Sequence, residues 1–395
     1  MTMNCKLQFV VLLAILAMHV GWGDPLPPRR MPTSKETRVP GSRAKENVRS
    51  AVLKPQHDAP SVRQAVPSPA SGQGPSTRKN ALKAGIVICN LCPLPEEILP
   101  CKCVCNNGTS AELTCGPDLL TCTELTDILT MVAFPAPHYI RLRVDGTQLQ
   151  CKIEAELWGA ALTFEEVHLV NNHFDMVDNK AFLPFKTTLK VLNLQRNALH
   201  NVNFPTMSDQ PFLETVLLSD NEINFMPGYS AMELAGLREL RVDRNKLCQL
   251  QPYTFASLPR LELLDLSHNA IPDLKEEVLR IPGHAASRLF VNLSCNAIAV
   301  IEKNAFSGVQ SASLDLRHNA LVTLSELALR PMIEETHGAL HIGVNGNPLI
   351  CDSNLCWIVK NQTVASCFDN FLCPNLNKYL NDIKDEDLGG CPSSG

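Results

Sequence analysis

An asparagine returns at near-constant spacing through the second half of the chain, each time in the frame L-x-x-L-x-L-x-x-N-x-L. Asn197, Asn221, Asn245 and Asn269 stand 24 residues apart, and Asn296, Asn319 and Asn347 follow at intervals of 27, 23 and 28. Asn172 precedes Asn197 by 25 residues, and Thr147 holds the same slot one interval earlier. Between Leu237 and Leu247, Leu240 and Val242 alternate with Glu239, Arg241 and Asp243, the period-2 pattern of a strand with one buried face. A single strand per repeat cannot bury its apolar face alone, so the repeats must stack to make a core. Where the chain turns out of each strand, backbone groups are buried without partners. Asn carries both a donor and an acceptor and can pair with them. A second column, ten residues after each Asn, is apolar throughout: Phe182, Met207, Ala231, Phe255, Leu279, Phe306 and Leu329.

A period of about 20–29 residues in this frame is the signature of leucine-rich repeats. The expected fold is an α/β solenoid with a curved parallel sheet on its concave face and the second apolar column packed on the convex side. About nine repeats fill residues 139–346. Cysteine-rich caps are expected on both sides, over residues 86–138 and 347–395.

The chain begins with Lys6 and an apolar stretch from Leu7 to Met18, with Gly21 and Gly23 placed for cleavage before Asp24. This reads as a secretory signal over residues 1–23; the apolar run is short for a membrane anchor. No other segment reads as a span and the C-terminal residues do not read as a lipid-anchor tail, so an exported, extracellular protein is expected. Residues 24–85 differ in kind. They are rich in Pro, Ser, Arg and Lys, and residues 24–80 carry 11 Lys+Arg against 4 Asp+Glu. That is a net charge of +7, which leaves −12 for the remainder of a chain totalling −5. Such a composition cannot form a core and is expected to be disordered. It is a linker, a propeptide cut at Arg29-Arg30, or a basic arm for an acidic partner.

Of the 16 cysteines, all but Cys5 lie beyond the signal segment. In an exported protein they imply disulfides rather than zinc ligands. They cluster at the ends of the repeat array, from Cys89 to Cys151 and from Cys351 to Cys391, with Cys248 and Cys295 inside it. Disulfide bonding is expected at Cys92, Cys101, Cys103, Cys115, Cys351, Cys356 and Cys391. A solenoid's terminal repeats expose an apolar end, which a disulfide-bonded cap covers. The cysteines beyond the signal are odd in number, so one should be unpaired or bonded to another chain. Cys248 and Cys295 lie two repeats apart, about 10 Å by strand spacing, which is beyond the reach of one bridge. Cys295, just before Asn296, is the one singled out for that role, while Cys248 reads as a buried, inert thiol.

Three glycosylation sequons occur, at Asn107, Asn292 and Asn361. Asn292 lies between the core residues Val291 and Leu293 and is expected to point out of the concave sheet, where a sugar would block part of it. No catalytic constellation, phosphate loop or calcium loop is present. The acidic run near Asp385 lacks calcium-ligand spacing, and His268 and His318 are two repeats apart, too far for one metal. No cofactor or metal is expected. Nothing stacks aromatic rings over a basic groove, so nucleic acid is not an expected partner.

The concave face is the expected binding surface, because its outward positions can be read from the strand pattern. Successive repeats present Asn193, Gln195 and Arg196; Leu217, Ser219 and Asp220; Arg241, Asp243 and Arg244; Asp265, Ser267 and His268. Arg196, Asp220, Arg244 and His268 fall in one row of alternating charge. With Arg241, Asp243 and Asp265 they could position a protein partner through paired charges, or form a solvated ladder of ion pairs that binds nothing.

Several segments together give a resemblance to a known group. They are "LPCKCVC" (Leu99 to Cys105), "AFPAPHYIRLRV" (Ala133 to Val144), the run from Ile301 to Glu334, and "NPLICDSNLCWIVKN" (Asn347 to Asn361). Over about residues 89–391 the chain resembles the secreted arthropod leucine-rich-repeat proteins related to the non-catalytic subunit of decapod-shrimp luciferase. The cap cysteines likewise resemble those of extracellular leucine-rich-repeat proteins, which implies that Trp357 plugs the C-terminal end of the core. The resemblance implies a secreted protein without catalysis of its own. The partner is then an extracellular protein: a receptor, an enzyme that the chain supports as accessory subunit, or a microbial surface ligand. A matrix or innate-immune role is the further alternative. The basic segment and the wide Cys351 to Cys356 spacing depart from the group.

Overall fold

A computed structural model describes residues 90–391, except 107, 120, 203, 229–232, 282–288 and 310. The expected signal segment, the basic segment, Cys5, Cys89, Asn107 and Ala231 lie outside the described residues. One sheet of eleven strands organises the rest. Its strands are β1 (Lys102–Asn106), β2 (Ser110–Cys115), β3 (His138–Asp145), β4 (Thr163–Val170), β5 (Val191–Asn193) and β6 (Thr215–Leu217). They continue as β7 (Glu239–Arg241), β8 (Leu263–Asp265), β9 (Leu289–Asn292), β10 (Ser311–Asp315) and β11 (His341–Gly343). The sheet order follows the sequence order, which is what stacking one strand per repeat requires. Only β1 and β2 pair antiparallel; β2 onward is parallel. Leu192, Val216, Leu240, Leu264 and Val291 stand in register across five strands, all buried.

The Asn column closes each turn. Asn245 Nδ2 donates to Leu218 O (2.9 Å), Val242 O (3.1 Å) and Asp243 O (3.1 Å), while its Oδ1 accepts the Ile223 amide at 2.9 Å. Asn221, Asn269, Asn296 and Asn319 repeat this four-bond pattern one repeat apart. Asn197 does so with Phe174 N as its donor, and Asn347 binds Leu316 O, Val344 O and Leu321 N. Asn172 receives both the amide and the hydroxyl of Thr147, so the first repeat joins the column with a shorter side chain. Leaving buried backbone groups unpaired costs about 1–3 kcal/mol. Asn245→Ala is therefore expected to lower stability by about that amount, read as a fall in melting temperature; an unchanged melting temperature would refute the role.

Two features were not expected. The stretch after the Asn pairs again with the next repeat, giving short parallel strands at Lys152–Ile153, Met176–Val177 and Asn201–Val202, and at Asp273–Leu274 and Val300–Ile301. The residue just before each Asn is held at positive φ. Asn171, Arg196, Asp220, Arg244, His268, Cys295 and His318 lie between 51° and 57°. An L-residue costs about 1–2 kcal/mol there. The bonds that hold the slot run to the next repeat, as from Arg244 N to Ser267 O (3.0 Å) and from His268 N to Ser294 O (3.0 Å).

The second apolar column is buried at Phe182, Met207, Phe255, Leu279, Phe306 and Leu329, continuous with a single core. Ring contacts extend that core into the N-terminal cap, from Phe134 through Tyr139, Phe164 and Phe185 to Trp158 and Phe182. The cap is tied by Cys92–Cys103, Cys101–Cys115 and Cys122–Cys151. Its helix, Cys122–Met131, starts in a reciprocal capping box between Thr121 and Glu124. The C-terminal cap is tied by Cys351–Cys373 and Cys356–Cys391. Trp357 is buried there, edge-on to Phe368 with ring centroids 6.0 Å apart.

The readings of Cys295 as the cysteine left over and of Cys248 as a buried thiol are corrected: Cys295 is disulfide-bonded, as is Cys105, and Cys248 is exposed. A parity count says that a thiol is left over but not which one. Among the described residues the free cysteines are Cys248, which is exposed, and Cys367, which is buried and whose thiol pKa is pushed up by desolvation.

Candidate protein-binding face

Strand alternation puts four rows of side chains on the exposed face of the sheet. The residues singled out from the sequence occupy three of them. Arg196, Asp220, Arg244 and His268 fill the positive-φ row. Asp220 lies between two arginines, 3.9 Å from Arg196 Nε and 3.4 Å from Arg244 Nε. Arg244 also pairs with Asp243. Asp243 is buried and accepts the Ser219 hydroxyl at 2.5 Å, and Gln195 Nε2 donates to Ser219 at 3.2 Å. These groups form one connected strip across three strands. Arg241 bonds Glu239 on its own strand at 2.5 Å and reaches Asp265 of the next at 4.0 Å. The Glu239 hydrogen bond is the main reason that its pKa is raised. Asp265 is buried and accepts the Ser267 amide at 3.0 Å. His268 is held below the usual imidazole pKa by burial first and by the Arg244 charge second, which favours the neutral ring.

The row nearest the strand starts was not singled out. It runs Glu112, Arg141, Glu166, Val191, Thr215, Glu239, Leu263, Phe290, Ser313 and His341 in register. Its first three members form a closed cluster: Arg141 bridges Glu112 (3.0 Å) and Glu166 (2.7 Å), and His168 completes it on Glu166 at 3.1 Å. Leu263 and Phe290 are adjacent, half-buried and outward-facing; Leu217, also half-buried and outward-facing, lies two strands before Leu263, beside Arg241. The signal was available: Leu263 and Phe290 stand six residues before Asn269 and Asn296, as Glu239 does before Asn245.

Asn292 faces outward on β9, in register between Asp265 and Asp315, and its Oδ1 accepts the Ser294 amide (3.1 Å) and hydroxyl (2.8 Å). Asn361 is exposed and caps the helix Gln362–Ala365 through the Val364 amide at 3.2 Å. Among the described residues no helix is long and apolar enough to cross a membrane.

This geometry defines a leucine-rich-repeat solenoid with disulfide-bonded caps. A leucine rich repeat model matches residues 235–280. The chain is 25% identical, over 313 residues, to the Oplophorus-luciferin 2-monooxygenase non-catalytic subunit of Oplophorus gracilirostris, covering 73% of this chain and 85% of that protein. It is also 30% identical to leucine-rich repeat-containing G-protein coupled receptor 5 of Rattus norvegicus, over 56% of this chain but only 24% of the receptor. Among solved structures, an octameric complex of Latrophilin 3, Unc5D and FLRT2 (LRR) contains a chain that matches with a TM-score of 0.50 at 18% identity. The match covers 73% of this chain and 93% of that one.

Proposed function

We propose that this is a secreted, non-catalytic protein that binds a protein partner through the concave, exposed face of its sheet. The observation that carries the reading is the outward apolar pair Leu263 and Phe290 on the same sheet face as the Arg196–Asp220–Arg244–Asp243 strip. Half-buried apolar side chains ringed by oriented charges are the makings of a protein interface. The disulfide-tied caps support an oxidising, extracellular setting. A second reading, an accessory subunit that stabilises a secreted enzyme, is favoured by the match across most of the Oplophorus non-catalytic subunit.

The test is affinity capture from native extracellular fluid, with the mature chain and an Arg241→Glu/Arg244→Glu control. One partner at fixed ratio, lost with the control, is the expected result. A partner that is itself an enzyme, co-purifying at that ratio, selects the subunit reading. Equal capture by both chains overturns binding through this face.

A further inference from the structure

Beyond Phe290 the exposed face holds a hollow of about 100 Å³. It forms because β11 contributes Gly343 to a row in which β10 contributes Asp315, with Asp369 of the C-terminal cap on the far side. A Cβ on Gly343 would stand 3.1 Å from Asp369 Oδ2 and 3.3 Å from Arg317 Cγ, so both side chains overhang the bare backbone. Phe290 forms the wall on the repeat side, and His341 completes the rim.

We propose that this hollow receives the cationic head of one lysine or arginine side chain, carried by a basic segment of the protein partner. This rests on the reading of the sheet face as a binding surface. The size excludes a small-molecule pocket, which takes about 300–1,000 Å³, and suits a single side chain of a larger partner. The charges decide its sign. Asp315 is buried and spent on its own strand: its Oδ1 accepts Arg317 N (3.0 Å) and Nε (2.9 Å), and its Oδ2 pairs with Arg317 Nη2. Asp315 thus offsets the Arg317 charge, and Asp369 adds a second negative charge near that guanidinium. Asp369 is different. Its Oδ1 contacts His341 Nε2 at 2.8 Å, but Oδ2 has only Asn345 Nδ2 at 3.5 Å among the described residues. With Asp315 and Arg317 cancelling, one carboxylate oxygen leans over the hollow with spare accepting capacity. Phe290 puts an aromatic ring in the same lining, a group to which a cation is attracted, and the neighbouring Leu263 gives the partner's adjoining apolar residue a place to lie.

A random peptide library is selected in parallel on the full chain and on Asp369→Asn, Gly343→Leu and Arg241→Glu/Arg244→Glu chains. Asp369→Asn keeps the shape of the side chain, and Gly343→Leu fills the hollow from an outward strand position. The expected result is a set of peptides sharing one lysine or arginine beside an apolar residue. A synthetic consensus peptide should bind the Asp369→Asn and Gly343→Leu chains at least about tenfold more weakly. Peptides without a shared cation, or no enrichment over the Gly343→Leu chain, overturn the proposal. Peptides lost only on the Arg241/Arg244 reversal overturn the hollow and leave the binding face standing. Peptides that bind all four chains alike overturn both.

Discussion

Trp158→Ala is expected to destabilise the folded domain by about 3–5 kcal/mol, the range for emptying a large aromatic site in a packed core. Trp158 is fully buried, and its Nε1 donates to Ala181 O at 2.5 Å. Its ring lies 6.1 Å from Phe182 and 5.2 Å from Phe185, and Phe185 meets Phe164 edge-on at 5.6 Å. The substitution thus removes a ring that holds two repeats together and leaves a buried carbonyl without its donor. Trp158→Phe should cost less, about 1–3 kcal/mol, because it keeps much of the volume and loses chiefly the hydrogen bond. Urea denaturation followed by circular dichroism separates the cases: the midpoint should fall in that order at an unchanged slope. Equal midpoints for both variants and the parent would remove Trp158 from the account of how the first repeats cohere.

The repeat spacing made the solenoid legible because each Asn answers a local demand, the orphaned backbone at the strand exit, that recurs with every turn. The same regularity located the outward positions. What it left open is what those positions do. Asp243, Asp265 and Asp315 look identical to free surface carboxylates in the sequence, yet all three are buried. Asp265 and Asp315 accept the amide two residues on, and Asp243 takes a hydroxyl from the neighbouring strand. The first two bonds are local to one repeat, whereas the partner of Asp243 comes from the repeat before it, which no single repeat encodes. The positive-φ row was largely hidden for a related reason: glycine marks it only at the two ends of the column, at Gly146 and Gly346. Arg196, Asp220, Arg244 and His268 carry no glycine signature, and the bonds that hold them there come from the following repeat. The hollow escaped notice because one of its walls, Asp369, belongs to the cap and reaches Gly343 only through the bridge between Ile342 and Phe368. Its other parts, Phe290 and Gly343, are uncharged members of rows in which only the charged positions stood out.

The C-terminal cap should matter out of proportion to its size. Cys367 O accepts the Ile342 amide at 2.7 Å and Asp369 N donates to Ile342 O at 3.0 Å, so the segment Cys367–Asp369 pairs the last strand's outer backbone groups. Cys356–Cys391 closes 35 residues around this segment. Removing such a tie, by Cys356→Ser with Cys391→Ser, is expected to cost about 3–4 kcal/mol from loop closure. In a stack where each repeat contacts only its neighbours, that loss should appear from one end. Hydrogen exchange should speed up at the amides of Ile342 and Leu316, which bond the cap and β11, while the amide of Val242, bonded to β8 at Asp265 O, stays protected. Acceleration spread evenly over all strands would mean that the array unfolds as one unit, and no acceleration at β11 would mean that the cap does not hold the end. Asp369 sits in that same segment, so a frayed cap should also lose the carboxylate that overhangs Gly343. Affinity for a basic peptide should then fall in parallel with protection at Ile342, while contacts made by the Arg196–Asp220–Arg244 strip, four repeats away, should persist.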